Sequence, residues 1–234
     1  MQDKHFVFVH CKEDRDVLIN KIKYPKGFLI MDVEDQKTIL REIFNELGLS
    51  SQTYTFKQVL RNFSSRKSNL DYLNYILEQK KEEFSDDLDR VFIKYLEKQQ
   101  RNFALDFDDL LNYTLYIFDK FPDVLEKWQK RLHYIQVDET QDSSTKQFFL
   151  ITQLSDFHKN LFVVGDPDQT IYEWRGAKPE FLVDFDLQFP STKTIIMNQN
   201  YRSTPNILKL GNHIIKNNKI RVDKDMITQN PEGF

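Results

Sequence analysis

Residues 133–139 read His-Tyr-Ile-Gln-Val-Asp-Glu, a short apolar and β-branched run that ends in two acids. This stretch decides the fold, because it begins a regular alternation with helical patterns. Two further apolar runs follow, Leu-Phe-Val-Val at 161–164 and Thr-Ile-Ile-Met at 194–197. Helical patterns fill the gaps at 144–155, 177–188 and 205–217. Strands that alternate with helices of this length predict a parallel α/β sheet.

Residues from about 12 to about 131 differ from this region, because every periodic segment there predicts a helix. Asp32 is expected to cap one helix, which Gly48 ends. Pro122 suits the first position of the last helix. Further helices are expected to begin near Thr55, Asn69, Ser85 and Leu105. The apolar run at 6–9 is a candidate fourth strand, which would make the helical block an insertion within one α/β domain.

Composition excludes several classes of protein. The chain has 33 Lys and Arg against 36 Asp and Glu, so nucleic acid would have to meet a local basic patch. Cys11 is the single cysteine, which excludes an intrachain disulfide and multi-cysteine metal sites. No glycine is followed by lysine, so the chain contains no G-x-x-x-x-G-K-[S/T] phosphate loop. Neither a signal peptide nor a membrane span is predicted, and a cytoplasmic location is expected.

Acidic residues follow two of the predicted strands. Asp138 and Glu139 end the first strand, and Asp166 and Asp168 come directly after the second. Ligands of open parallel sheets bind outside the carboxyl ends of the strands. Mg²⁺ is commonly held there by one or two carboxylates plus substrate phosphates, and a second carboxylate can activate a water. Alternatively, Asp138 and Glu139 are solvated residues at a helix N-terminus, where the helix dipole favours negative charge.

A polar and aromatic segment follows the second strand. Gln169 offers a donor and an acceptor that could orient a water or a phosphate oxygen. Tyr172 and Trp174 are two residues apart, so in an extended segment their rings would project to the same side. With Arg175 beside them they would form a stacking platform for single-stranded nucleic acid. Alternatively, the two rings pack under a loop.

One arginine stands where helix electrostatics disfavour a cation. Arg202 comes just before a predicted helix whose N-cap is Thr204 and whose first residue is Pro205. A phosphate group bound at this position would remove the unfavourable interaction. Alternatively, Arg202 is an ordinary surface charge in a loop.

Four segments together resemble motifs of superfamily 1 DNA helicases of the UvrD/PcrA/Rep family. They are Leu-Asp-Phe-Asp-Asp-Leu at 105–110, Val-Asp-Glu-Thr-Gln-Asp at 137–142, Gly-Asp-Pro-Asp-Gln-Thr-Ile-Tyr-Glu-Trp-Arg-Gly-Ala at 165–177 and Gln-Asn-Tyr-Arg-Ser at 199–203. The resemblance implies an α/β fold, with a partial parallel-sheet, RecA-like motor core and a large all-α inserted domain. The implied parts are a segment of the first motor domain at 1–11, the inserted domain at 12–104, the second half of the first motor domain at 105–200 and the start of the second at 201–234.

The resemblance also implies roles at a nucleotide site. Asp138 would ligate the Mg²⁺ of Mg-ATP, and Glu139 beside it would complete the metal site and activate the attacking water. Gln169 would sense the γ-phosphate, and Arg202 would act on it as an arginine finger. Tyr201 would stack near the adenine.

Further roles concern nucleic acid. By the resemblance, Phe107, Tyr172 and Trp174 would contact DNA bases, and Arg175 would couple the DNA and nucleotide sites. The implied activity is ATP-dependent 3′-to-5′ translocation on single-stranded DNA with unwinding of duplex DNA, in repair, replication or recombination.

The sequence also departs from the family pattern, because the phosphate-loop lysine is missing. We therefore expect an internal piece of a helicase that neither hydrolyses ATP nor unwinds DNA by itself. A second hypothesis is a non-catalytic helicase remnant that binds DNA or a partner protein. A third is a small Mg²⁺-dependent phosphohydrolase built on Asp138, Asp166 and Asp168.

Overall fold

The computed structural model describes residues 28–50, 52–69, 72 and 86–232, apart from the side chain of Arg175. The chain divides into two compact units, and the division falls between Trp128 and Gln129. The candidate strand at 6–9 and most of the helix expected after Asn69 lie outside the described residues. The domain boundaries expected from the sequence stay a prediction.

The helices of the first unit begin and end close to the residues that the sequence predicts. Helix α1 (Val33–Leu47) starts in a capping box formed by Asp32, and the backbone of Gly48 ends it with a φ of 67°. Pro122 is the first residue of the last helix, as expected. The other helices are α2 (Phe56–Lys67), α3 (Asp87–Arg101), α4 (Phe107–Lys120) and α5 (Pro122–Arg131).

Two short parallel strands accompany these helices. Strand β1 (Leu29–Ile30) pairs with β2 (Ala104–Leu105), with Leu29 opposite Ala104. The sequence predicted only helices in this region, which was wrong for these residues. A two-residue strand has no period of alternation that a sequence pattern could reveal, so only the pairing itself defines it.

A continuous hydrophobic core lies between the helices of the first unit. Aromatic rings fill its centre, since the ring of Phe63 lies 4.8 Å from that of Phe92 and 4.9 Å from that of Tyr95. These rings are almost fully buried and supply large apolar contact areas. The buried members are Met31, Leu40, Ile43, Phe44, Val59, Phe63, Tyr72, Val91, Phe92, Tyr95 and Ala104.

The second unit contains the expected parallel strands. Strand β3 (Ile135–Val137) pairs in parallel with β4 (Leu161–Val163), and Val137 lies opposite Val163. This confirms the first two predicted strands and their direction. The helices are α6 (Thr145–Ser155), α7 (Glu180–Val183), α8 (Phe185–Gln188) and α9 (Pro205–Ile215). No helix of the described ranges has the length and apolar character needed to cross a membrane.

Two predictions for the second unit were wrong. The helix expected over 177–188 is interrupted at Asp184, so that two four-residue helices replace it. The run at 194–197 forms no strand, and Ile195 and Met197 in it are 69% and 81% exposed. An apolar run becomes a strand only when a neighbouring strand supplies hydrogen bonds, and no described strand lies beside this one.

Candidate active site

The carboxyl ends of β3 and β4 are held side by side by backbone hydrogen bonds. The amide of Val164 donates to the carbonyl of Val137 at 2.8 Å, and the amide of Thr140 donates to the carbonyl of Val164 at 3.0 Å. The turns that carry Asp138 and Asp166 therefore begin next to each other. This is the edge at which open parallel sheets bind their ligands.

Glu139 has an unusual backbone at this edge. Its φ is 51°, in the left-handed region that a residue with a Cβ atom adopts at a cost of roughly 1–2 kcal/mol. Its amide donates to Oδ1 of Asp138 at 2.9 Å, and Nε2 of Gln141 donates to its Oε2 at 2.7 Å. Strained backbone that neighbours hold in place is concentrated at functional sites. The exposed carboxylate of Glu139 is thus held in a defined position.

Gln141 is a site residue to which the sequence assigned no role of its own. Its side chain is buried; the amide group contacts Glu139, and Oε1 accepts the backbone amide of Asp166 at 3.1 Å. Gly165 makes this possible, because a Cβ atom there would collide with Oε1 of Gln141 and lie 2.7 Å from Leu182. The one signal in the sequence was the position of Gln141 in the motif that contains Asp138 and Glu139.

Asp166 and Asp168 are bound by a segment that follows helix α9. Lys224 forms an ion pair with Asp166 and lies 3.6 Å from Oδ2 of Asp168, and Arg221 lies 3.8 Å from the same oxygen. Burial alone would raise the pKa of Asp166, but the hydrogen bonds from Lys224 and Gln169 outweigh it and hold the pKa below its ordinary value. These contacts argue against a two-metal site on Asp138, Asp166 and Asp168.

The residues that fit a magnesium ion are Asp138 and Glu139. The described residues contain no group of three His, Cys, Asp or Glu side chains placed to bind a metal ion by themselves. Asp138 is exposed and uses Oδ1 to accept the amide of Glu139, and its second carboxylate oxygen has no hydrogen-bond donor among the described residues. One or two exposed carboxylates suit a Mg²⁺ ion that takes its other ligands from water and substrate phosphates.

Gln169 lies close to this edge but is directed to a protein group. Its Nε2 donates to Oδ2 of Asp166 at 2.9 Å, within the 3₁₀ turn Pro167–Gln169. The same carboxylate of Asp166 also accepts the amide of Asp168 at 3.1 Å. The Nε2 group of Gln169 carries a second hydrogen that can donate to a phosphate oxygen, and its amide oxygen can accept from a water.

The two predicted stacking residues are in contact. The ring centroids of Tyr172 and Trp174 are 6.3 Å apart, with 60° between the ring planes. Trp174 is 64% exposed, whereas Tyr172 is half-buried. The segment is not extended as expected, because Glu173–Arg175 forms a 3₁₀ turn. The side chain of Arg175 lies outside the described part of the chain.

Tyr201 and Arg202 lie in a separate turn before α9. Oδ1 of Asn200 accepts the backbone amides of Arg202 at 2.9 Å and Ser203 at 2.7 Å, which fixes this turn. The side chain of Tyr201 is 82% exposed and that of Arg202 is also exposed. Neither side chain forms a hydrogen bond or ion pair with the carboxylates that follow β3.

Phe107 belongs to the first unit, as the first residue of α4. Its ring is 60% exposed although its backbone lies in a tightly bonded turn. The N-cap of α4 is Asp106, whose side chain accepts the amide of Asp109 at 3.0 Å. An exposed apolar ring on an ordered helix terminus is suited to contact a ligand with a flat face.

Comparison with known proteins adds to this geometry. Residues 11–190 match the family described as UvrD/REP helicase N-terminal domain. The chain is 37% identical over 216 residues to the ATP-dependent DNA helicase PcrA of Bacillus subtilis, covering 92% of this chain and 29% of that protein. It is 35% identical over 208 residues to PcrA of Leuconostoc citreum, covering 89% of this chain and 28% of the relative. The chain thus spans less than a third of the length of these relatives.

Proposed function

Because this chain belongs to the UvrD/REP helicase family, we propose that it forms part of an ATP-dependent DNA helicase. The helicase would couple Mg-ATP hydrolysis to 3′-to-5′ translocation on single-stranded DNA and to unwinding of the duplex. The observation that carries this proposal is the exposed pair Asp138 and Glu139 at the carboxyl end of β3, beside the parallel strand β4, with Glu139 held in a left-handed conformation.

The nucleotide chemistry is assigned to three turns of the second unit. Asp138 would bind the magnesium of Mg-ATP, which when bound offsets the negative charge of the phosphates. Glu139, held by Gln141, would accept a proton from the attacking water. Gln169 would donate the second hydrogen of its Nε2 group to the γ-phosphate, and Arg202 would stabilise the charge that develops on it. The exposed ring of Tyr201 would lie against the adenine.

DNA binding is assigned to exposed aromatic rings. Trp174 and Tyr172 would stack on bases in the second unit, and Phe107 would do so in the first. Stacking of a base on an aromatic ring contributes about 1–3 kcal/mol, and it tolerates any base sequence because every base has a flat face. Arg175 would couple this contact to the nucleotide site.

The 234-residue chain by itself is expected to release no phosphate from ATP, because it contains no Gly-Lys dipeptide to hold the phosphates. Phosphate release is measured colorimetrically, with and without single-stranded DNA. Turnover that vanished in Glu139→Gln would contradict the expected inactivity and would at the same time support the role of Glu139.

Binding of DNA tests the proposed function directly. A fluorescent oligothymidine should bind the chain in a salt-dependent manner, and Trp174→Ala should weaken binding about 5- to 100-fold, as the loss of one stacked base implies. Leu187→Ala is the matched control, since Leu187 is also in the second unit and is 77% exposed. Equal affinities of the Trp174→Ala and wild-type chains would contradict the assignment of Trp174 to DNA.

A further inference from the structure

A buried ion cluster lies beneath the start of helix α4. Nζ of Lys67 lies 2.7 Å from Oδ2 of Asp106 and 2.6 Å from Oδ1 of Asp109, and the side chains are 0%, 5% and 5% exposed. The hydroxyl of Tyr95 donates to Asp106 at 3.0 Å, and the amide of Gln99 donates to Asp109 at 2.6 Å. Removing three charges from water is unfavourable unless each charge is paired and hydrogen-bonded, as here.

The two carboxylates of this cluster belong to the first turn of α4. Asp106 and Asp109 form its capping box, in which each side chain accepts the backbone amide of the other. Ser64 lies one turn before Lys67 on α2, and its hydroxyl donates to Oδ2 of Asp108 at 2.6 Å. Side chains of α2 therefore form ion pairs or hydrogen bonds with three of the four residues from 106 to 109, and the fourth is the exposed Phe107.

A capping box alone satisfies the free amides of a helix N-terminus, so it does not require a buried lysine. The additional bonds from α2 fix the backbone on both sides of Phe107. A ring whose backbone is already ordered loses less conformational entropy when a ligand stacks on it. The position of Phe107 thus depends on contacts from a second helix.

We propose that Lys67 and Ser64 are positioning residues that hold Phe107 in place for stacking on a base of single-stranded nucleic acid. This inference rests on the proposed contact of Phe107 with DNA. The cluster acts through Asp106, Asp108 and Asp109 and fixes the first turn of α4, which carries the exposed ring.

The test uses the full chain and an oligothymidine that contains one 2-aminopurine, whose fluorescence falls when it stacks on an aromatic ring. Phe107→Ala should weaken binding of the oligothymidine about 5- to 100-fold and remove the quenching that results from stacking on Phe107. Lys67→Met should lower both the affinity and the quenching in the same way. The double variant Lys67→Met/Phe107→Ala should bind no more weakly than Phe107→Ala alone. Lys57→Met is the control, an exposed lysine on the same helix.

The outcomes separate this proposal from the function on which it rests. Unchanged binding of DNA by Phe107→Ala would show that Phe107 does not contact DNA. The positioning role of Lys67 and Ser64 would then also be wrong. Loss in Phe107→Ala with wild-type quenching in Lys67→Met would overturn the positioning role alone. The positioning role would also be overturned if Lys67→Met weakened DNA binding equally in the wild-type chain and in the Phe107→Ala chain.

A second pair of variants applies if Lys67→Met does not fold. Ser64→Ala removes only an exposed hydrogen bond to Asp108, and Ser65→Ala on the same helix removes a hydroxyl that makes no such bond. Ser64→Ala should lower the 2-aminopurine quenching, whereas Ser65→Ala should leave it unchanged. Identical quenching by the two variants would overturn the proposal.

Discussion

The two units differ in the burial of their hydrophobic side chains. Among the described residues, seventeen of the twenty-two buried hydrophobic side chains precede Gln129, whereas seventeen of the twenty-one exposed large ones follow it. The first unit is therefore held together by its own core. The described part of the second unit has a smaller core of Phe148, Phe181 and Phe185, and polar contacts of Gln141 and Lys224 join its turns. A parallel sheet is usually covered on both faces, yet Phe162 of β4 is 58% exposed.

This difference bears on function, because local stability varies with the apolar contacts a region makes. The proposed nucleotide residues lie on turns that polar contacts hold in place, such as those of Gln141 and Asn200. Phe107 lies on a helix terminus that a core and a buried ion cluster hold in place. The two units should therefore respond differently to the same kind of substitution.

The same substitution should have unequal effects in the two units. Phe92→Ala leaves a cavity beside the rings of Phe63 and Tyr72 and should lower the free energy of unfolding by about 3–5 kcal/mol. Phe162→Ala should lower it by about 0.5 kcal/mol or less, because its ring is already largely in water. Urea unfolding monitored by Trp128 emission, in a Trp174→Phe background, measures the first unit, and hydrogen exchange of the β3 and β4 amides measures the second. Equal effects of the two substitutions would contradict the comparison.

The second-largest effect concerns two glycines of the second unit. Gly165→Ala would press a Cβ atom against Gln141 and Leu182, so it should destabilise the unit by about 1–3 kcal/mol and displace the side chain that holds Glu139. Gly211→Ala in α9 meets no atom within 4 Å and should instead stabilise the helix by about 0.5–1 kcal/mol. Hydrogen exchange of the β3 and β4 amides distinguishes the two variants. A Gly165→Ala chain whose β3 and β4 amides exchange at the wild-type rate would show that the close approach of Gly165 to Gln141 does not constrain the site.

Local chemistry explains which features the sequence predicted. The capping residues Asp32 and Thr55 act within their own turns, and the expected helix starts were confirmed. Strands β3 and β4 were predicted because both are short apolar runs within an alternating pattern. The run at 194–197 is also short and largely apolar, but pairing decides whether it forms a strand, and pairing is not a local property.

Contacts between distant residues explain what the sequence missed at the candidate site. Gln141 contacts the amide of Asp166, and Lys224 pairs with Asp166 from 58 residues further along the chain. Lys67 reaches Asp106 across 39 residues. No spacing rule links such residues, since the fold alone brings them together. The roles of Asp138 and Glu139 stay predictions, but their location at the sheet edge follows from the strand order.

The two units should also differ in their response to acid. Burial raises the pKa of Asp109 to about 6, although the charge of Lys67 opposes that shift. The folded chain then binds this proton more tightly than the unfolded chain, so the first unit should gain about 1 kcal/mol of stability as the pH falls from 7 to 5. Asp166 has a lowered pKa, so its contribution is present above its ordinary value of 3.8 and is lost only at more acidic pH.

Urea unfolding at pH 7, 6 and 5, followed through Trp128, measures this effect. Asp109→Asn should remove the gain between pH 7 and pH 5, whereas Glu97→Gln, which removes an exposed carboxylate of α3, should leave it unchanged. A wild-type chain whose first unit loses stability steadily over this range would contradict the raised pKa of Asp109.

The smallest expected effect is that of Lys224→Met, and it is compared with Lys67→Met because each lysine faces two aspartates, one in each unit. Lys224, 14% exposed, pairs with Asp166 and Asp168, so Lys224→Met should destabilise the second unit by only about 0.5–1 kcal/mol and raise the pKa of Asp166 toward its ordinary value. Lys67 is fully buried, and Lys67→Met should cost the first unit about 3–5 kcal/mol, because two buried carboxylates lose their counter-ion. Lys219→Met is the exposed control. A Lys224→Met chain as strongly destabilised as Lys67→Met would mean that the turns of the second unit are as rigidly held as the core of the first.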